Sequence, residues 1–492
     1  LSASPKVAFV NMFQTAVMGV PVLAANDGKW SSMTRASRQL TRAMGDIFRG
    51  KGLTERSKRL TPEEQAALKE AYAIGLIDRT QSHDLAGIGE TGVEYNPARA
   101  KVMARLAFLF HHTERINREV TFLAAYRMAK ARGLSQREAI ADANRMTWKI
   151  HFDYQNTSRP RIMHNDALKM LLVFRNFSIN MLYRLFRDLH QSFKGDTPQV
   201  RKEARIQLAG ITGMFALTAG VTGVWGFNLV MGLASLFMSG EDDPEDELRK
   251  NMVQALGPMM AGIILDGVPG YAMRMNLTDS LGMADLWFRD PSTQLEGKEV
   301  EGYWKSQLLG AAPSIVDNWI KGYQLLQKGH EYRAVENIMP KFLKDPMKAM
   351  RFASEGVKNL RGDTVMDNLS LYELGMVAIG FTPARLAEQY DINNANFRKQ
   401  DAILTQRQQL LDDYWRASEK EDDAAVSAVE DKIDAYNEKY GDDMPAVVIT
   451  PKTLSRSAKT RDKNADDATG GARYSRSTRE HILETQRPTI YQ

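Results

Sequence analysis

The sequence lacks cysteine entirely, in a chain of 492 residues. Disulfide frameworks, thiolate nucleophiles, cysteine-ligated zinc and iron–sulfur clusters are therefore excluded. No basic segment with a small-residue cleavage site precedes the apolar opening, Val7 to Ala25, so a secretory signal is not indicated. Because the sequence begins with Leu1, we expect a processed chain or a fragment of a longer protein.

Signals for β-hairpins are also scarce, since no run of alternating β-branched residues ends in Asn-Gly or Asp-Gly. Helix-start signals recur instead, as a capping hydroxyl followed by proline or by a glutamate three residues later. They stand at Thr61-Pro62-Glu63-Glu64, Ser135-Gln136-Arg137-Glu138, Thr197-Pro198, Ser370-Leu371-Tyr372-Glu373 and Thr382-Pro383. The sequence therefore predicts an all-α fold.

The order of these signals predicts four regions in an extended multi-helix assembly. Residues 1–195 are expected to form an N-terminal helical region with a basic patch, and residues 196–380 a central helical region. Residues 381–450 are predicted to form a charged helical hairpin. Residues 451–492 are polar and low in complexity, which predicts a flexible basic tail.

The run from Ile206 to Gly240 contains no charged residue and seven glycines. Its length is sufficient to cross a hydrocarbon core, which takes about 20 residues. The alternative is a buried helical hairpin, broken near Gly223–Gly226, in a large bundle. An apolar helical hairpin that is buried in one state and exposed to a membrane in another satisfies both interpretations.

Small residues in this run fall four apart, a spacing that lets helices approach closely. The pairs are Ala216/Gly220, Ala219/Gly223 and Thr222/Gly226. We therefore predict that packing or membrane contacts are made by Ala216, Gly220, Gly223, Trp225 and Gly226.

The formal net charge of +5 is small, but the basic residues are grouped. One group lies between Arg35 and Arg59, and residues 451–492 contain nine Lys or Arg against five Asp or Glu. Either group could contact nucleic-acid phosphate or anionic lipid, and a solvated helix face with a disordered tail is the alternative. The candidate phosphate contacts are Arg35, Arg38, Arg42 and the tail 452–479, with Lys452, Arg456 and Lys459 as its first members.

Three segments partly match nucleotide-binding or metal-binding motifs, but their sequence context favours a purely structural role. Gly87-Ile88-Gly89-Glu90-Thr91-Gly92 matches G-x-G-x-x-G, yet no strand pattern precedes it and no helix follows directly. His111-His112 with Glu114 supplies too few ligands for a metal, and the acidic block Glu241–Glu247 lacks EF-hand spacing. We predict no catalytic residue, no cofactor and no metal site.

Several stretches, read in order, carry a resemblance to a known family. They are Ser4-Pro5-Lys6-Val7-Ala8-Phe9-Val10-Asn11 with Gln14-Thr15, Phe152-Asp153-Tyr154 with Asn156 and Arg159-Pro160, Phe174-Arg175-Asn176-Phe177, the glycine-rich run, Asn276-Leu277-Thr278-Asp279 with Asp285-Leu286-Trp287, and Gly380-Phe381-Thr382-Pro383-Ala384-Arg385. In this order they resemble the C-terminal region of the large polyvalent (PLxRFG-type) bacteriophage proteins, over most of residues 1–450. A literal P-L-x-R-F-G is absent.

This resemblance implies a non-catalytic internal-virion (ejection) protein that lies inside the capsid and leaves with the genome. Several copies would form a helical core or conduit that guides viral double-stranded DNA through the host envelope. The implied partners are further copies of the chain, other internal-virion and portal proteins, non-specifically bound DNA and, conditionally, the host membrane. The alternatives are a cell-wall-degrading enzyme fragment of a phage polyprotein and a DNA-binding packaging protein without a membrane role.

Overall fold

The computed structural model describes twelve parts of the chain. They are residues 5–50, 58–77, 108–151, 176–224, 226–227, 230–231, 244–278, 282, 311–359, 361–420, 422–442 and 444–468. In these residues helices dominate and strands are very short, which confirms the all-α prediction. The G-x-G-x-x-G segment and the Phe152–Pro160 stretch lie outside the described residues.

The chain divides into two units, and the first unit, which ends at Asp391, contains most of the helices. Helices α1 to α9 are Pro5–Asn26, Ser32–Phe48, Pro62–Ala73, Phe108–Ala131, Gln136–His151, Asn176–Lys194, Pro198–Ala219, Pro244–Asp266 and Val268–Met273. Helices α10 to α13 are Ala311–Gln327, Glu331–Ile338, Lys341–Glu355 and Leu371–Ala378. Helix α14, Ala384–Glu419, contains the division between the units, which falls after Asp391.

Among the described residues, the second unit begins at Ile392. After α14 it contains α15, Asp423–Tyr440, a 3-10 turn at Pro445–Val447, and α16, Pro451–Ala468.

Four short strands pair in two small antiparallel sheets. Strand β1, Met275–Asn276, pairs with β4, Thr382–Pro383. Strand β2, Val357–Lys358, pairs with β3, Thr364–Met366. The prediction of a proline-started helix at Thr382-Pro383 was therefore wrong by one residue, because both residues lie in β4 and α14 begins at Ala384.

The other predicted helix starts are present as capping contacts. Thr61 Oγ1 accepts from the backbone N–H of Glu64 at 3.3 Å, and Glu64 Oε2 accepts from the Thr61 N–H at 2.9 Å. Ser135 with Glu138 and Ser370 with Glu373 form the same reciprocal bonds. These bonds satisfy backbone N–H groups that have no partner within a helix. At the fourth start, Thr197 Oγ1 accepts from the backbone N–H of Val200 at 3.2 Å. Local sequence therefore fixes these four helix starts.

Helix α1 is the central element of the N-terminal bundle and packs against α7, α2, α4 and α5. Its second half is almost completely buried, with Met18 and Val22 at 0% exposure and Leu23 at 2%. Among the described residues α1 is also the helix long and apolar enough to cross a membrane, and 53% of its apolar stretch is buried. A core helix meets the same criterion, and the packing of α1 is that of a core helix.

The apolar run at 206–240 differs from the predicted hairpin. Helix α7 ends at Ala219, and Gly220 follows with φ 75°, so the helix breaks before the predicted position at Gly223–Gly226. The uncharged part of α7, from Ile206 to Ala219, is about 21 Å long at 1.5 Å per residue and is too short to cross a bilayer. Residues 232–240, the predicted second arm, lie outside the described residues.

Gly220 makes a close backbone contact directly after α7. A Cβ on Gly220 would lie 1.7 Å from the Leu265 carbonyl oxygen, and Val221 N–H donates to the Ile264 carbonyl at 2.8 Å. Thr222 Oγ1 donates to the Leu265 carbonyl at 2.7 Å. The turn after α7 thus packs directly on the end of α8, where a side chain at position 220 cannot fit.

The predicted packing residues are therefore divided between different environments. Gly220 and Gly223 are buried, whereas Ala216 and Gly226 are half-buried. Trp225 lies outside the described residues. Because α7 ends at Ala219, the predicted four-residue pairs do not lie together on one helix face.

The second unit is built on the packing of α14 against α15. Its buried cluster includes Ile403, Leu410, Val429 and Ile433, and the Tyr436 hydroxyl donates to the Ile403 carbonyl at 3.2 Å. Residues 451–468, which we predicted to be a flexible tail, form α16. The prediction missed this helix because its charged sequence has few apolar residues to indicate a packed face.

The structure also differs from the predicted boundary at residue 195. Helices α6 and α7 lie on either side of that position and pack together within the first unit. The described chain divides instead between residues 391 and 392, close to the predicted start of the charged hairpin at 381.

Candidate nucleic-acid interface

Helix α2 presents a narrow row of arginines to solvent. Arg35, Arg38, Arg42 and Arg49 are all exposed. At 3.6 residues per turn these positions fall within an arc of about 60° and extend for about 21 Å along the helix. We call these four residues the α2 basic face.

The opposite side of α2 fixes the direction of this face. Ala36, Leu40, Ala43 and Ile47 are buried in the core, with Ile47 at 0% exposure. Helix α2 packs mainly against α4 and α1. Because the apolar side is held by the bundle, the arginines must point outward.

Two acidic side chains lie near the α2 basic face, and both have basic partners. Asp27 Oδ2 is 3.4 Å from Arg35, whose side chain is 55% exposed, and Asp27 also accepts from Arg132 at 3.1 Å. Asp46 is bound by Arg127 at 2.8 Å. The part of the face that these two carboxylates do not neutralise consists of Arg38, Arg42 and Arg49.

Helix α16 carries a second row of cations with the same geometry. Lys452, Arg456, Lys459 and Lys463 are exposed. Their spacing places them within an arc of about 60° over about 16 Å. We call these four residues the α16 basic face.

Polar contacts hold the other side of α16 against α14. Arg461 forms an ion pair with Asp412, and Trp415 Nε1–H donates to Asp462 at 2.9 Å. Leu454 packs against the buried cluster of the second unit. At the start of the helix, Thr450 Oγ1 accepts from the Thr453 N–H at 3.3 Å.

All six phosphate contacts predicted from the sequence are exposed, and they lie on the two basic faces. The structure adds Arg49, which was in the predicted basic group but not among the predicted contacts, and it places Lys463, which lies in the predicted tail 452–479, in the second row. Each continues its row at helical spacing, so the sequence held a signal for them, provided that the helix boundaries were known.

A buried polar cluster lies between α4 and α5, away from the basic faces. Arg118 has 0% exposure, donates to the Leu76 carbonyl at 3.1 Å and stacks over Trp148 with its guanidinium 5.3 Å from the ring centre. Thr121 Oγ1 and His151 Nε2 are 2.8 Å apart. Burial, together with the positive charge of Arg118, lowers the pKa of His151 to about 3. The imidazole is therefore neutral near pH 7 and serves as a hydrogen-bonding group.

A small open cavity of about 150 Å³ lies between α5, α6 and α7. Lys149, Arg187, Asp188 and Glu203 line it. Asp188 accepts from Arg187 at 2.8 Å and also from Gln207, so this carboxylate is bound within the protein. A carboxylate bound in this way, among side chains of both charge signs, is typical of a structural network between helices.

The described residues contain no group of three or more His, Cys, Asp or Glu that could hold a metal ion. His111 is half-buried and His112 exposed on α4, while Glu114 is buried beside Arg118. The acidic residues 241–243 lie outside the described residues, and Pro244 begins α8.

Comparison with known proteins provides no relative from which a function could be transferred: no protein-family model, curated protein or solved structure matches the chain. The fold and the exposed charges define an all-α protein with two cationic helix faces. The chemistry of those faces is the starting point for its function.

Proposed function

We propose that this chain is part of a phage internal-virion (ejection) protein that binds viral double-stranded DNA without sequence preference. The observation that carries the proposal is the pair of basic faces on α2 and α16. Each face places four exposed cations in one row on a helix whose other side is anchored. Such rows fit a phosphate backbone, where charge is spaced regularly and carries no base information.

The row geometry matches electrostatic binding better than base readout. Double-stranded DNA carries one negative charge per about 1.7 Å of axis, so a face of about 16–21 Å meets several phosphates at once. Arg and Lys neutralise these phosphates and release condensed counterions. An ejection protein needs this behaviour, because it must hold or guide any part of a genome.

The wider role rests on the resemblance to polyvalent phage proteins. In this proposal several copies form a helical core or conduit with other internal-virion and portal proteins. The protein is non-catalytic, is stored inside the capsid and reaches the host cell envelope with the genome, where it contacts the membrane.

The salt dependence of DNA binding tests the proposal. Fluorescence anisotropy would measure the affinity for a labelled random-sequence duplex over a salt series. One variant combines Arg38→Glu, Arg42→Glu and Arg49→Glu, and a second combines Lys452→Glu, Arg456→Glu and Lys459→Glu. Each lost phosphate contact should lower the slope of log affinity against log salt by about 0.9, so each triple variant should lose up to about 3.

A matched control reverses three scattered exposed cations, Lys69→Glu, Arg137→Glu and Arg361→Glu, which changes the net charge equally. The proposal predicts that this control keeps most of the affinity and slope. If the control loses as much as the two face variants, binding depends on overall charge and the assignment to α2 and α16 is wrong. Strong preference for one DNA sequence would also contradict it.

A further inference from the structure

Helix α15 presents a row of carboxylates to solvent in the second unit. Four of its acids are exposed: Glu430, Asp431, Asp434 and Glu438. At 3.6 residues per turn they fall within an arc of about 100° and extend for about 12 Å along the helix. The two lysines of this helix, Lys432 and Lys439, fall about 130–150° from the centre of that arc. We call the four carboxylates the α15 acidic face.

The direction of this face is fixed by the apolar side of α15. Val429, Ile433, Tyr436 and Tyr440 are buried in the cluster that joins α15 to α14. Helical spacing places the centre of the buried side about 140° from the centre of the α15 acidic face. The carboxylates therefore point away from the core of their unit.

The α16 basic face also points away from its own unit. Leu454, which packs on the buried cluster, and Arg461, which pairs with Asp412 on α14, both fall about 170° from the centre of that face. Among the residues that the structure describes, none of the eight charged side chains of the two faces forms an ion pair. Within one copy, the two faces therefore do not neutralise each other.

We infer that the α15 acidic face of one copy of this chain docks on the α16 basic face of a second copy. Four carboxylates then meet four cations, on helix rows of about 12 and 16 Å. Opposite charges on facing surfaces steer association and determine which surfaces meet. Both faces belong to every copy, so the chain carries both halves of this contact.

The charges require this contact to be head-to-tail. A two-fold interface would bring the same face of both copies together, and like charges would oppose association. In a head-to-tail contact each copy uses its two faces on two different neighbours. Such a contact generates a ring if the rotation closes and a filament if it does not.

This docking deepens the proposed function, on which it rests, because it names the surfaces through which several copies would assemble. The α16 basic face then has two possible anionic partners, the phosphates of DNA and the carboxylates of a neighbouring copy. The α2 basic face stays open to DNA in either case. Assembly and DNA binding would therefore compete for α16 alone.

The contact should be weak and sensitive to salt, because exposed ion pairs contribute little individually. Four of them support a dissociation constant on the order of 1 mM at low salt. Screening limits their range to about 10 Å at 0.1 M salt. Cross-linking can trap such a contact, and the chain contains no cysteine, so introduced thiols react at known positions.

Cross-linking between two single-cysteine chains tests the docking. Ser427→Cys lies on the side of α15 that carries the acidic face, and Ser455→Cys lies beside the α16 basic face; both positions are exposed. A short bismaleimide should join these two chains at least tenfold faster than it joins either chain to itself, since like faces repel. Salt at about 1 M should remove this difference.

Charge reversal identifies the two faces. Glu430→Lys with Asp434→Lys and Glu438→Lys, on the Ser427→Cys chain, should lower the rate of mixed cross-linking at least tenfold. Lys452→Glu with Arg456→Glu and Lys459→Glu, on the Ser455→Cys chain, should do the same. Mixing the two reversed chains should restore the rate, because the facing charges are again opposite. Restoration also shows that both variants are folded.

A matched control reverses three exposed acids elsewhere on the Ser427→Cys chain, Glu70→Lys, Asp367→Lys and Glu388→Lys. It changes the net charge equally and should cross-link at the unreversed rate. A loss as large as that of the α15 reversal would show that overall charge controls association, and it would overturn the docking.

Two further outcomes would also overturn the docking: equal rates for mixed and like pairs, and no restoration when both reversed chains are mixed. The α15 reversal leaves the proposed DNA contacts intact, so this variant should still bind DNA. If mixed cross-linking occurs while the wild-type chain does not bind DNA, the proposed function fails and the docking stands. The two failures are therefore distinguishable.

Discussion

The basic faces of α2 and α16 have similar charge spacing, but their helices are anchored by different contacts. Helix α2 buries Ala36, Leu40, Ala43 and Ile47 in the large core of the first unit. Helix α16 depends on half-buried Leu454, the Arg461–Asp412 ion pair and the Trp415–Asp462 hydrogen bond. A basic helix face can therefore be held in place by apolar contacts, as in α2, or by mainly polar contacts, as in α16. The two anchors differ in strength and in what weakens them.

The strongest contrast concerns apolar burial. Ile47→Ala should lower the free energy of unfolding of the first unit by about 2–5 kcal/mol, because Ile47 has 0% exposure and the substitution leaves a cavity. Leu454→Ala should cost about 1 kcal/mol, since this side chain is only half-buried. Urea unfolding followed by circular dichroism measures both. Equal losses would show that the two helices are anchored equally.

Low pH should destabilise the first unit, which anchors α2, through a buried histidine that the second unit lacks among residues 392–468. Burial lowers the pKa of His151 from 6.5 to about 3, so the folded protein holds the imidazole neutral while the unfolded chain takes up a proton below about pH 6.5. Stability from this group is complete above pH 6.5 and is lost as the pH falls towards 3. The slope should approach about 1.4 kcal/mol per pH unit.

The pH effect can be checked by amide hydrogen exchange in α4 and α5 between about pH 6.5 and 5, before most carboxylates titrate. His151→Gln should remove the slope attributed to this group, and the control His190→Gln, at an exposed position, should retain it. Residues 392–468 contain no histidine, so α16 should not share this effect. An unchanged slope in His151→Gln would contradict the assignment.

Helix capping distinguishes the two helices at their first turns. Thr450 Oγ1 accepts from the Thr453 N–H at 3.3 Å, whereas the Ser31 side chain makes no capping hydrogen bond at α2. Thr450→Ala should therefore destabilise the start of α16 by about 1 kcal/mol, and Ser31→Ala should leave α2 nearly unchanged. Amide exchange in the first turn of each helix measures the difference. A similar effect in both helices would contradict the claim that α16 has a side-chain cap and α2 has none.

The smallest expected effect concerns the ion pairs of Asp412. This carboxylate binds Arg461 and also Arg416 at 2.8 Å, and its side chain is 25% exposed. Asp412→Asn should destabilise the attachment of α16 by about 0.5 kcal/mol, because partly exposed ion pairs contribute little. The matched control is Asp413→Asn, at an exposed neighbouring position. Faster exchange in α16 only for Asp412→Asn supports the ion pair as an anchor.

Local sequence predicted much of the secondary structure because the decisive interactions span only a few residues. The capping pairs at Thr61, Ser135 and Ser370 need no distant partner. The apolar run could not be interpreted in the same way. Its break at Gly220 is required by the Leu265 backbone, which lies forty-five positions away in the sequence and reaches the glycine only through tertiary packing.

The candidate DNA contacts stay a prediction, whereas the exposure of these cations can be checked in the structure. Charge grouping selected Arg35, Arg38, Arg42, Lys452, Arg456 and Lys459, and all of them are exposed. The addition of Arg49 to the first row, and the grouping of Lys463 with the second, required the helix boundaries. The exposure of Trp319 and Tyr323 on α10 was not predicted, because these residues have the same sequence spacing whether their side of the helix is covered or open.

The sequence by itself determined the helical fold class, the absence of thiol chemistry, the main helix starts and the grouping of cations, since each follows from residue type and short-range spacing. Tertiary structure alone decided that α7 ends at Ala219, that residues 451–468 form a packed helix and that α10 leaves an aromatic side exposed. These features depend on which distant backbone and side-chain groups come into contact, and that information is not contained in any local pattern.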